Sequence, residues 1–332
     1  SNRVHGLFFY ELKKTFICQK GLVLFLACIM IQIFILSQYN DYFGTDEYYY
    51  QNYIDQFGDR IDDQTDEKLQ NEEQRIAALY TELETTENSV TAYKLQQELE
   101  CEGGFQRYAD RVRELREDGR SPLLLKDAQY TLLFTNTPLS RSWVILLCMS
   151  FAFLVISVFY REKATHMELL QKSSLFGRRK LFYFKFLTLL LYFIPFCLLG
   201  AVLRLIWSSS HYRLDWDAPA NCLEIFRETG ITCSIRSIFF LGTLLQCIPV
   251  VLALLLLSRL AELSKRRYLM PAIILGCTVI PTMLSPYFPV AWLQIVHNLF
   301  FIFTASIHFI SGTLLLLAVC AAFITERKMR NE

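Results

Sequence analysis

Two almost wholly apolar runs, residues 142–160 and 182–206, flank a stretch crowded with charge, EKATHMELLQKSSLFGRRKLF, which begins at Glu162. A helix of about 20 apolar residues crosses the hydrocarbon core of a bilayer. A charged segment pinned between two such runs must lie in water close to the membrane surface. Its basic residues are Arg161, Lys163, Lys172, Arg178, Arg179, Lys180 and Lys185. Basic connections stay on the inner side of a membrane, so that surface is expected to be cytoplasmic. Residues 161–172 lack Gly and Pro and use good helix formers, and Ser173, Ser174 and Gly177 then interrupt the pattern. The segment reads as a short helix lying along the inner face.

The chain has 332 residues, 53% of them hydrophobic, against about 45–50% for an ordinary soluble domain. The excess is concentrated in long runs. A formal net charge of +1 hides a division: residues 40–140 hold 22 acidic and 10 basic side chains, a balance of −12, which leaves +13 for the remainder. An acidic block set into a basic apolar body implies two compartments.

In chain order, residues 1–20 place Val4, Phe8, Leu12 and Phe16 at every fourth position, with Glu11, Lys13 and Lys14 on other faces. That pattern predicts an amphipathic interfacial helix, an elbow before the first span. Ser1 is not a start methionine, so the beginning is expected to be trimmed. Residues 21–39 form the first span, read as an uncleaved anchor held inside by Lys13, Lys14 and Lys20. Residues 40–141 are the acidic extracytoplasmic insert, expected to be mainly helical. It opens on Tyr48, Tyr49, Tyr50 and Tyr53, and apolar residues then recur irregularly from Ile61 to Leu99. Gly103-Gly104 is expected to break that helix, with a second one over 105–117 that aligns Phe105, Tyr108, Val112 and Leu115. The result would be a helical hairpin whose charges form a solvated surface; attraction of cationic peptides is the functional alternative.

The second span is 142–160, and residues 161–181 are the inner segment. The third span, 182–206, carries Pro195, which bends a helix, and Arg204, placed to snorkel to the headgroups. Residues 207–236 are an outer loop, 237–258 the fourth span, and 259–268 a basic inner loop with Arg259, Lys265, Arg266 and Arg267. Residues 269–285 make a fifth span, 286–306 an outer interfacial segment, 307–324 a sixth span and 325–332 a cytoplasmic tail. The expected fold class is an all-α integral membrane protein with about six transmembrane helices and both termini cytoplasmic. Residues 40–141 are then outside, and the location is the cell membrane.

The inner segment carries a resemblance. The run Glu162-Lys163-Ala164-Thr165, then Glu168-Leu169-Leu170, then Ser173 to Phe182 with Gly177-Arg178-Arg179-Lys180, and finally Lys185, resembles the coupling segment of type-two ABC exporter permeases. Ala164, Leu175 and Phe184 stand where that family often has Gly, Pro and Gly. An ordinary basic inner loop is the plainer reading of the same residues. The resemblance implies a bacterial transmembrane permease subunit that pairs with a second copy or a paralogue. Separate cytosolic ABC ATPase subunits would bind its inner face, with ATP and Mg held there and no cofactor in this chain. It also implies roles at the docking surface. Glu162, Glu168, Lys172 and Arg178 would make polar contacts to the ATPase, with Ser173 and Lys180 beside them. Leu169 and Leu170 would fill its groove, and Gly177 would permit the turn into the third span. The cargo expected by analogy is an amphipathic peptide, an antimicrobial or a lipid-like compound. The main rival is a mechanotransmission subunit that works a cell-envelope partner through its outer helices; such proteins usually have about four spans. A second rival is an intramembrane lipid enzyme using Asp215 and Asp217.

No HExxH, GxSxG, phosphate-binding Gly loop or GxGxxG occurs, so no catalytic residues are assigned and ATP hydrolysis is expected in a partner. Neither a CxxC pair nor zinc spacing is present, no metal is assigned, and nothing points to nucleic acid. Asp215-Trp216-Asp217 has the form of a metal-binding DxD, but interfacial Trp with solvated Asp explains it more simply. Most cysteines fall in apolar runs; Cys222 and Cys233 are the pair that could form a disulfide. Gln32, Gln246 and His308 are polar groups in or near spans, suited to a pathway or to interhelical hydrogen bonds.

Overall fold

The computed structural model describes residues 2–40, 42–118, 123–135, 137–164, 177–263, 269–299 and 306–329. Their regular structure is helical, with two isolated β-bridges, Arg60 with Leu123 and Pro219 with Ser234. The chain divides into two units. The first comprises Ser1–Tyr39, Leu132–His211 and Phe239–Glu332; the second comprises Asn40–Thr131 and Tyr212–Ile238.

Four helices among the described residues are long and apolar enough to cross a membrane: Gly21–Gln38, a run within Asp127–Tyr160, Lys180–His211 and Ile235–Glu262. Two shorter apolar helices are Pro271–Leu284 and Ile310–Ala321. The all-helical class therefore holds, with four full-length candidate spans.

The first unit starts with α1 (Asn2–Lys13), which runs through a π-helical turn over Lys14–Cys18. Lys20 then adopts a left-handed conformation (φ 59°, ψ 26°) before α2 (Gly21–Gln38). Gly21 is required there, because a Cβ would lie 2.7 Å from the Thr15 carbonyl oxygen. Phe8 and Phe16 of the amphipathic segment reach inward, with Phe16 5.7 Å from Tyr192. After the short α7 (Thr131–Phe134) comes α8 (Pro138–Ala164), whose start is a reciprocal cap. Thr137 N donates to Ser140 Oγ at 2.9 Å and Ser140 N to Thr137 Oγ1 at 3.2 Å, with Pro138 in the first helical position.

α8 packs antiparallel on α9 (Gly177–His211) through paired rings. Trp143 stacks on Phe196 at 4.4 Å, Phe151 lies 4.2 Å from Phe193, and Phe159 lies 6.0 Å from Phe182. Gly200 admits the indole of Trp143; a Cβ there would sit 2.0 Å from its Nε1. Against α2 and the turn that leads into it, α8 is held by polar rungs at successive levels. Gln19 donates to the Ser157 carbonyl at 3.0 Å, Cys28 and Ser150 meet at 3.5 Å, and Gln32 donates to the Leu139 carbonyl at 3.3 Å. Further on come α10 (Ile235–Leu263), α11 (Leu269–Ile274), a π turn (Leu275–Val279) and α12 (Ile280–Leu284). The π turn falls just before Pro281, whose missing N–H and bulky ring disrupt the α ladder. α13 (Ala291–His297) and α14 (Ser306–Met329) complete the unit.

The second unit is built on α3 (Thr45–Phe57), α4 (Gln64–Thr85), α5 (Ser89–Leu99) and α6 (Glu102–Asp118). Its core joins Tyr50, Tyr53 and Ile54 of α3 to Phe105, Tyr108, Val112 and Leu115 of α6. The tyrosine-rich opening is thus a packed helix. The helix breaks at residues 100–101, between α5 and α6, and Gly103-Gly104 follow that break in the first turn of α6. A Cβ on Gly104 would meet Tyr50 N at 2.7 Å, so these glycines let α3 and α6 approach closely. A further break falls at residues 86–88, where Asn88 caps α5 by accepting from Val90 N at 3.0 Å.

Candidate functional site

Glu168, Leu169, Leu170, Lys172 and Ser173 lie outside the described residues, as do the side chains of Glu162 and Arg178. Glu162 is in the last turn of α8, and Gly177 and Arg178 open α9. Lys180, in the first turn of α9, is exposed. The residues that can be followed are those where α8 and α9 approach the connection. Lys185 is buried with its ammonium 5.5 Å from the Phe159 ring centre. The Arg259 guanidinium lies 3.6 Å over Phe182 and pairs with Glu262 at 3.0 Å. Glu11 of α1 is buried and meets Lys14 at 3.4 Å. The Lys185 and Arg259 contacts join α8, α9 and α10 at one end.

Of the polar groups within spans, Gln32 is buried and makes bonds on both sides of its amide: it accepts from Ser142 at 2.9 Å as well as donating to Leu139. Gln246 is half-buried on α10. His308 lies on α14, with its side chain outside the described set. Cys222 and Cys233 stand as free thiols, Cys222 buried and Cys233 exposed. Arg204 departs from expectation: only 8% of it is exposed, so it is enclosed by protein instead of snorkelling to headgroups.

The second unit holds a polar network that long-range pairing creates. Arg111 of α6 is buried and donates to the Cys222 carbonyl at 2.7 Å. Arg227 pairs with Glu114, Arg107 pairs with Glu47, and Glu224 N donates to Asp127 Oδ1 at 3.2 Å. Arg107 also lies 4.8 Å over the Tyr50 ring. Burial pushes the Asp127 carboxyl up to about 6, against nearby Arg111. Arg227 holds Glu114 below its usual range. Asp215 and Asp217 serve the same unit: Asp215 N donates to the Tyr130 hydroxyl at 2.8 Å, and Asp217 pairs with Arg236 at 3.1 Å. Residues 212–238 are thereby part of one fold with residues 40–131. The only hint in the sequence was Arg107 and Arg111, four residues apart beside the apolar face of α6.

No protein-family model matches the chain, and neither a curated protein nor a solved structure matches it.

Proposed function

We propose that the chain is the membrane-spanning permease subunit of an ATP-driven exporter of the type-two ABC class. A separate cytosolic ATPase would dock on residues 162–180, and a second permease copy or paralogue would complete the pathway. The observation that carries this reading is the antiparallel α8–α9 pair, where the helix ends and the sequence between them, residues 161–181, carry Arg161, Lys163, Lys172, Arg178, Arg179 and Lys180. That stretch of sequence bears the Glu168, Leu169, Leu170, Gly177 and Arg178 pattern. On this reading the basic side is cytoplasmic, the acidic insert lies outside, and the shorter apolar helices supply a fifth and sixth crossing. ATPase closure would push the connection and tilt α8 and α9. The cargo class that fits an acidic outer face is an amphipathic, cationic peptide or a lipid-like compound.

The presence of four full-length candidate spans favours a second reading, in which the ATPase works the outer helical unit against a cell-envelope partner without transport. The deciding experiment is charge reversal at Glu168 and at Arg178 in the intact complex. Export predicts that ATP hydrolysis persists while cargo efflux falls. Unchanged efflux in both variants would refute docking at this segment. ATP-dependent envelope phenotypes without any efflux would select the second reading.

A further inference from the structure

Cys197 of α9 and Cys247 of α10 lie 50 residues apart in the chain, and their side chains face each other closely enough for the thiols to hydrogen-bond. Cys247 Sγ also reaches the Thr243 carbonyl at 3.6 Å. Both are free thiols, and both are half-buried. Cys28 and Cys320 of the same unit are buried and meet oxygen partners instead, Ser150 and the Leu252 carbonyl. Cys197 falls near the middle of the apolar helix Lys180–His211, and Cys247 near the middle of Ile235–Glu262. In a bilayer, a side chain half-exposed at that depth meets hydrocarbon, as does Leu244, one turn from Cys247 and 62% exposed. Two apposed thiols differ from other small apolar groups in one respect: they can be oxidised together. Closure to a disulfide brings the sulfurs to about 2 Å, which requires helices that can bend slightly. Pro195 and Pro249, each two residues from one of the cysteines, supply that freedom, because a proline removes a ladder hydrogen bond and kinks its helix.

We propose that Cys197 and Cys247 form an intramembrane dithiol that is oxidised to a disulfide by a quinone dissolved in the bilayer. Both S–H bonds break and one S–S bond forms. The two electrons and two protons pass to the quinone oxygens, leaving quinol. The product ties α9 to α10 at mid-membrane. The site rests on the membrane placement of these two helices and is independent of ATPase docking. A charged, water-soluble oxidant such as oxidised glutathione is excluded from that depth, whereas an apolar quinone is not.

The test uses the full-length protein, reduced and then reconstituted without oxygen in phosphatidylcholine liposomes. Samples receive decylubiquinone, oxidised glutathione or neither. Non-reducing peptide mass spectrometry is expected to find Cys197 linked to Cys247 in the quinone sample, with about one quinol formed per protein. Cys197→Ser and Cys247→Ser should each abolish the link and that quinol. The melting temperature of quinone-treated wild type should rise and fall back with dithiothreitol, while that of Cys247→Ser stays unmoved by the quinone. Absence of the link after quinone treatment, or quinol formation undiminished in both variants, overturns the proposal. Linkage by oxidised glutathione as fast as by the quinone reveals an aqueous route and overturns the intramembrane site. Should either variant fail to fold, the wild-type comparison of quinone with glutathione decides alone.

Discussion

Arg111 of α6 donates to the Cys222 carbonyl at 2.7 Å across 111 residues of sequence, and so makes the acidic insert and the loop between α9 and α10 a single folded unit. Its guanidinium is buried, with Glu114 as the second acceptor at 3.4 Å. Removing it leaves a buried carbonyl and a carboxylate short of a donor. Arg111→Ala is expected to destabilise the second unit by about 2–4 kcal/mol. Hydrogen exchange should show lost protection in α6 and in residues 220–229 together; loss confined to α6 would deny the joint fold.

Trp143 and Gly200 make a second prediction. The indole occupies the space a side chain would take, with Phe196 stacked on it at 4.4 Å. Gly200→Ala must displace a buried ring, so a cost of about 1–3 kcal/mol is expected. Gly276, which has open space around its Cα, should accept Ala without loss. Thermal unfolding of the two variants in detergent, compared side by side, checks the contrast.

Asp127 predicts a pH dependence. Its folded pKa of about 6 lies above the ordinary value of 3.8. A raised carboxyl contributes stability that is fully present below about pH 4 and is lost as the pH rises through about 6. The loss amounts to about 3 kcal/mol at most for this one group. Asp127→Asn should flatten that window, read as exchange protection of α3 and α6 between pH 4 and pH 8. Equal pH dependence in the variant would refute the assignment. Glu114 works in the opposite sense, its contribution being lost as the pH falls through its depressed value, so the variant is needed to separate them.

Gln32 should matter less than its burial suggests. Ser142 also donates to the Leu139 carbonyl at 2.6 Å, so Gln32→Leu leaves the hydroxyl a partner. Interhelical hydrogen bonds in membranes average about 0.6 kcal/mol. A loss below about 1 kcal/mol in steric-trap unfolding is expected; more than about 2 kcal/mol would assign Gln32 a larger role.

The long apolar runs made α2, α8, α9 and α10 readable from composition alone, because uniform hydrophobicity over a membrane length has few other solutions. The amphipathic start was also legible, since Phe8 and Phe16 share a face. What could not be read were features set by partners distant in the chain. Tyr50 and Tyr53 form a helix because α6 covers them, and Gly103-Gly104 is a packing surface only once α3 lies against it. Arg204 looked suited to snorkelling because its position near a span end is visible in the sequence, whereas its enclosure is not. Arg111 and Cys222, in segments separated by two spans, meet through tertiary structure alone. At the candidate docking surface, Glu168 and its neighbours were legible only through resemblance to a family pattern.

The central claim of the proposed function is that residues 162–180 face the cytosol and are gripped by an ATPase. Ser173→Cys, probed with a membrane-impermeant maleimide and located by mass spectrometry, tests it directly, with the exposed native Cys233 as the opposite-side marker. The account predicts labelling of residue 173 in inside-out vesicles only, of Cys233 in right-side-out vesicles only, and protection of residue 173 when the ATPase is bound. Labelling of residue 173 from the outside of intact cells would contradict it.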